Sequence, residues 1–240
     1  MIISIIQPCF VPWLGYFEQM AIADVFVYLD DVQYTKKDWR NNNQLKSPNG
    51  LKPIYVPVSN GSRNAHINEV MISYNEKWED VLRNKISEWY KKAPYYHEII
   101  ELINPIIYNK YEKLVELNYS MNKAISDYLE IKTPVYFSSD IANNSNDKNK
   151  RIIEICKHFL NVDLLYDGKA AENFIDVPLF KQNGITLVFQ QYIQNPYPQL
   201  WGDFIPYTSV IDVMMNCGKD ARKVLLSNPM SIHLKERRNL

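Results

Sequence analysis

The chain has 240 residues, 46% hydrophobic and 22% charged, ordinary values for a soluble globular protein and enough to bury a full core. Lysine plus arginine and aspartate plus glutamate both number 27, so no overall field points to nucleic acid or to an anionic membrane. Three widely spaced cysteines, Cys9, Cys156 and Cys217, suit neither a disulfide framework nor a zinc site and fit a reducing cytosol.

No apolar run approaches the ~20 residues of a membrane span. The apolar N-terminus lacks a basic lead and is interrupted by Pro8, which argues against a signal peptide. A cytoplasmic protein without membrane insertion is expected.

Ile2 to Ile6 is a continuous apolar, β-branched run, as expected for a strand buried on both faces of a parallel sheet. Pro8 and Pro12 forbid regular structure in the loop that follows. From Trp13 to Ala23 the apolar residues Trp13, Leu14, Phe17, Met20 and Ala21 share a helical face. Val25 to Leu29 is then a second strand, completing a βαβ unit of right-handed connection. Gln7 and Asp30 each follow the carboxyl end of a strand, where open α/β sheets bind ligands. Gln7, Pro8, Asp30, Asp31 and Gln33 are therefore expected to converge on one crevice.

Downstream, Ser47-Pro48-Asn49-Gly50 and Asn60-Gly61 mark turns. Ile54 to Val58 reads as an edge strand because of Pro57, and Ile67 to Ile72 as a short one. Helical spacing runs from Glu76 to Trp89, and again from Tyr95 to Leu129 with a break or kink at Pro105. Val135 to Phe137 and Asp163 to Tyr166 are strands flanking a helix over Arg151 to Leu160. Between them Asn143 to Asn149 is a polar loop. Phe180 to Gly184 ends a helix, Ile185 to Gln190 alternates as a strand, and Ser209 N-caps a helix over Val210 to Asn216. Gly218 closes it, and Lys235, Arg237 and Arg238 mark a basic terminus. The fold class is α/β: a mostly parallel sheet opened by an N-terminal βαβ unit, with a helical middle segment.

Several motifs then coincide in order: Gln7-Pro8-x-Phe10-x-Pro12-Trp13-Leu14-Gly15-Tyr16-Phe17, Ala23-Asp24-x-Phe26-Val27, Leu29-Asp30-Asp31-Val32-Gln33-Tyr34 and Trp39-Arg40-Asn41-x-Asn43. Ala93-Pro94-Tyr95-Tyr96, Ser138-Ser139, Tyr197-Pro198-Gln199, Phe204-Ile205-Pro206 and Ser209-Val210-Ile211-Asp212 follow. Together they resemble the WbqC-like protein family across nearly the whole chain. The resemblance implies one α/β domain over residues 1–240, with a helical subdomain at about 76–130. It also implies a bacterial enzyme of O-antigen or other surface-polysaccharide (lipopolysaccharide) biosynthesis. The favoured activity is N-acyl or aminoacyl transfer to the amino group of a nucleotide-linked amino sugar. An activated acyl or aminoacyl donor, or a carrier protein, would be the second partner. Two alternatives are Mg-dependent nucleotidyl or phosphoryl transfer and a non-catalytic carbohydrate-binding module. Where many relatives carry a histidine before the C-terminal tyrosine, this chain has Gln194-Asn195.

Candidate roles follow. Asp30 or Asp31 would accept a proton from an attacking amine, and His66 is the histidine placed to reach a site from a loop. His97 and His158 fall on helices, and His233 has no indicated partner. Arg40 would grip a diphosphate bidentately and Lys36 act as a point charge. Gln7, Gln33, Asn41 and Asn43 would meet substrate hydroxyls, and Trp13 or Trp39 would stack on a ring. Tyr197, Gln199 and Asp212 enter through the resemblance; Asp212, in an apolar helix, needs a partner or a crevice. Cys9 could carry a thioester but is more simply a small packed side chain. No metal ligands are assigned.

Overall fold

A computed structural model describes residues 1–59, 62–142, 145–228 and 234. The Asn60-Gly61 turn, part of the Asn143 to Asn149 loop, His233, and the basic Lys235, Arg237 and Arg238 lie outside the described residues.

Five parallel strands form the main sheet: β1 (Ile2–Ile6), β2 (Val25–Tyr28), β5 (Val135–Phe137), β6 (Leu164–Asp167) and β7 (Thr186–Phe189). Their spatial order is β5-β2-β1-β6-β7. The chain thus builds outward from β1 to one side, returns, and builds outward on the other. That reversal is the topological switch point beside which doubly wound sheets bind ligands. Helix α1 (Leu14–Ile22) makes the predicted βαβ crossover between β1 and β2.

Both faces are covered, which explains why β1 and β2 are almost wholly apolar; the exception, Ser4, is buried and donates to the Tyr166 carbonyl at 2.8 Å. On one face Phe26 and Tyr28 pack with α1 and with α2 (Trp78–Tyr90), α3 (Tyr96–Ile107), α4 (Leu114–Tyr128) and α7 (Val210–Cys217) in the largest core cluster. On the other, Ile3, Ile5, Val25, Val27 and Leu165 pack under α5 (Lys148–His158) and α6 (Val177–Gln182). A last short helix, α8 (Ala221–Leu225), follows α7. No described helix is long and apolar enough to cross a membrane.

Four local expectations shift. Asn41 to Asn43 does not stay a loop: Asn42–Ser47 is strand β3, paired antiparallel with β4 (Gly50–Tyr55), and Pro48-Asn49 is their turn. The strand read at Ile54 to Val58 is therefore earlier. Its ladder carries Pro53 opposite Gln44 and ends at Tyr55, before Pro57. Ile67 to Ile72 is a 3-10 turn over Ile67–Glu69 with isolated pairings of Met71 to Lys113 and Ile72 to Val58. In the helical middle, Pro105 is kept in the last turn of α3, and the break comes just after it.

Candidate functional site

The loop that leaves β1 is held by its carbonyl groups. Two prolines keep it out of the regular ladders, so most of its buried oxygens are satisfied by side chains. Tyr16 Oη donates to the Gln7 carbonyl at 3.2 Å and Asn118 Nδ2 to Pro8 at 3.4 Å. Asn122 Nδ2 reaches Cys9 at 3.1 Å, and Asn43 Nδ2 donates to Phe10 and Val11 at 3.1 and 2.9 Å. Ser209 Oγ also reaches Val11, at 2.7 Å, while the Val210 N–H serves Pro12 at 2.9 Å. Val11 has φ 36°, a left-handed conformation that strains a β-branched residue. The grip maintains it.

Beyond this loop the strand ends bring charge together. Ile6 pairs with Tyr28 and the Leu29 N–H donates to the Ile6 carbonyl, so Gln7 and Asp30 emerge side by side. Asp30 is 2% exposed. Its carboxylate accepts from Ser138 Oγ at 3.1 Å, Ser139 N at 3.0 Å and Ser139 Oγ at 2.7 Å. Ser138 Oγ also lies against Asp31, which pairs with Arg151 of α5. Both aspartates lie past the end of β2, where strand alternation no longer separates them, and the Ser138 hydroxyl lies against both carboxylates. Asp31 keeps 15% of its side chain exposed and is the carboxylate that solvent reaches.

Arg40 completes the rim. It donates to Gln7 Oε1 and pairs with Asp38 at 2.7 Å. The Nε–H groups of Arg40 and Arg151 are buried without a hydrogen-bond partner among the described residues. Trp39, next to Arg40, is 53% exposed although its backbone is fixed by Phe10 N and Asp38 Oδ1. Cys9 donates to the Gln7 carbonyl, and burial pushes its thiol up to about 12. Gln33, two to three residues beyond the aspartates, pairs through its backbone with His66, and both are exposed. Lys36 is exposed on the loop between Gln33 and Arg40.

Other candidates point into the protein. Asn41 is buried: its Oδ1 accepts from Tyr34 at 2.7 Å and its Nδ2 donates to the Val56 carbonyl at 2.8 Å. Asn43 holds the loop, as above. Trp13 packs edge-on against Tyr192 and Tyr207 at 5.4 Å each, and over Gly15, where a Cβ would lie 2.1 Å from its ring.

Tyr197, Gln199 and Asp212 form a second cluster. Asp212 accepts from Tyr90 Oη at 2.5 Å, Tyr197 Oη at 2.6 Å and Gln199 Nε2 at 2.9 Å. Gln199 Oε1 in turn accepts from the buried Lys46 at 3.0 Å. Burial raises the Asp212 carboxyl, and the hydrogen bonds and the Lys46 charge oppose that shift. This network fastens the irregular 197–205 segment to α7 and β3. The partner that Asp212 required is thus internal.

Several of these residues carry no sequence signal. Lys46 reads as an ordinary surface lysine, and Arg151 as part of the polar face of an amphipathic helix. Asp167 ends β6 at the switch point; burial pushes its carboxyl up to about 6, against the Gly168 N–H that stabilises the anion. Among the described residues no group of three histidine, cysteine or acidic side chains is arranged to hold a metal.

The profile of the WbqC-like protein family matches residues 7–224. The chain belongs to that family. The matched span contains both clusters, from Gln7 to Asp212. An uncharacterized protein of Mycobacterium tuberculosis is 32% identical over 222 residues, covering 91% of this chain and 95% of the relative. No solved structure matches the chain.

Proposed function

We propose that this WbqC-like protein transfers an acyl or aminoacyl group to the amino group of a nucleotide-linked amino sugar, in the assembly of a bacterial surface polysaccharide. The observation that carries the proposal is the rim itself: a part-exposed carboxylate, Asp31, and two part-exposed guanidinium groups, Arg40 and Arg151, near the ends of β1 and β2. Arg40 suits a diphosphate, being already oriented by Gln7 and Asp38. Lys36 adds charge from the same loop.

The neutral Cys9 thiol favours direct transfer over a thioester on the protein. In that scheme the sugar amine gives a proton to Asp31 and attacks the carbonyl of the donor. The C–N bond forms, the bond from the carbonyl to the donor's leaving group breaks, and the proton passes from Asp31 to that leaving group. Asp30 has three donors on its carboxylate and acts as the anchor that fixes Ser138 and Ser139 beneath Asp31.

The test is incubation of the protein with nucleotide-linked amino sugars and acyl or aminoacyl donors, followed by product mass. Asp31→Asn should lower the rate on the order of 10²-fold or more without loss of folding. Full activity in that variant would overturn the mechanism. Saturable sugar binding with no mass gain for any donor would overturn the activity.

A further inference from the structure

An open recess of about 290 Å³ is lined by Tyr111, Val115, Glu116, Tyr119, Ser120 and Phe137. Its aromatic wall is Tyr111, Tyr119 and Phe137; the last two lie 5.3 Å apart and are backed by the buried Tyr28, 6.2 Å from Tyr119 and 5.5 Å from Phe137. None of these rings belongs to the carboxylate cluster, yet the recess adjoins it. Phe137 ends β5, and the next residue is Ser138, whose hydroxyl bridges Asp30 and Asp31. On the other side, the segment whose Asn68 N–H binds the Asp30 carbonyl goes on to receive the Leu114 N–H of α4 at Val70. One short stretch of chain therefore ties the recess helix to the acidic rim.

We infer that this recess receives the apolar acyl group of the donor, so that the reacting carbonyl ends at Asp31, the part-exposed carboxylate beyond buried Ser138. The inference rests on the acyl-transfer proposal above. Its support is a three-ring wall with Val115, a surface that favours hydrocarbon. The recess is open and its volume falls just under the ~300 Å³ lower bound of small-molecule sites, which suits a short acyl chain and leaves the nucleotide to the Arg40 side. Glu116, the charged lining residue, is exposed and is engaged by the Lys113 N–H at 3.2 Å.

The experiment uses the full chain and two probes, the acetyl and hexanoyl thioesters of N-acetylcysteamine, with binding followed by saturation-transfer NMR. The wild type should bind the hexanoyl probe on the order of 10-fold more tightly than the acetyl probe. Ser120→Trp fills the recess from α4 and should remove that preference. Ser120→Ala should keep it, and both variants should retain the wild-type circular dichroism and melting temperature. Equal binding of the two probes by the wild type, or an unchanged preference in folded Ser120→Trp, would overturn the inference. A chain-length preference that Ser120→Trp abolishes, with no transfer to any amino sugar, would support the recess and overturn the activity. Transfer that is indifferent to chain length and to Ser120→Trp would do the reverse.

Discussion

Asn43 donates from one amide nitrogen to the Val11 carbonyl, 2.9 Å away and 32 residues earlier in the chain. The contact joins β3 to the strained loop that presents Gln7, and the same nitrogen also serves the Phe10 carbonyl. Asn43→Leu would take the side-chain donor from the buried Phe10 carbonyl, leave Val11 to Ser209 alone, and leave Gln44 N without its side-chain acceptor. The expected loss is about 2–4 kcal/mol of stability, measured by denaturant unfolding. Asn43→Asp should be at least as damaging, since carboxylate oxygens would face those carbonyls. Wild-type stability in Asn43→Leu would show that the loop holds itself.

Asp167 gives a pH signature. Its folded pKa, about 6, is above the ordinary carboxylate value of ~3.9. The folded state therefore binds the proton more tightly. Its contribution to stability is fully present below the unfolded pKa and is lost as pH rises through the folded one, between about pH 4 and pH 6. Asp167→Asn should flatten that part of the stability profile and stabilise the protein at pH 7 by about 1–3 kcal/mol. The amide oxygen can still accept from Gly168 N, at 2.7 Å in the parent. Thermal melts of both proteins from pH 4 to 8 check this; parallel profiles would contradict it.

The cysteines should be slow to react. Burial pushes Cys9 and Cys156 up to about 12 and Cys217 up to about 11, so little thiolate exists at neutral pH. Cys217, the least buried of them, should be alkylated first in the native protein, with Cys9 labelled only on unfolding. Peptide mass mapping after timed iodoacetamide treatment gives the order. Rapid native labelling of Cys9 would restore it as a nucleophile.

Much of this architecture is legible in the amino-acid sequence. The β-branched run at Ile2 to Ile6, the Pro8 stop and the Val25 to Leu29 run specify a βαβ unit because side-chain period and breakers are local properties. That unit alone places Gln7 beside Asp30. Partners are not legible, because they come from distant parts of the chain. Ser138 reaches Asp30 across 108 residues and Arg151 reaches Asp31 across 120. The asparagines show the same difficulty in reverse: a carboxamide suited to a sugar hydroxyl is equally suited to a buried carbonyl. Only the path of loop 7–12 and its placement against β3 settle that Asn43 serves the backbone. Lys46 gives no local sign of its role, because burial of a strand lysine depends on where the 197–205 segment lies.

Arg40 separates charge from geometry at the rim. One terminal nitrogen is held by Asp38, the other by Gln7, and its buried Nε–H has no partner among the described residues. Lysine keeps the positive charge but has neither the planar fork nor a donor at the Nε position. Arg40→Lys should therefore weaken binding of a nucleotide-linked sugar about 10-fold or more, corresponding to ~1.4 kcal/mol. Stability should change little, because the Arg40 carbonyl rather than its side chain holds α4 through Asn118, at 2.8 Å. Gln7→Leu removes the other half of the contact and should give a similar loss. Isothermal titration with a uridine diphosphate-linked amino sugar compares the three proteins. If Arg40→Lys binds as the wild type does, a point charge suffices there and the diphosphate is not read through the fork. Equal loss in Arg40→Lys and Gln7→Leu, with no further loss in the double variant, would establish the pair as one recognition unit.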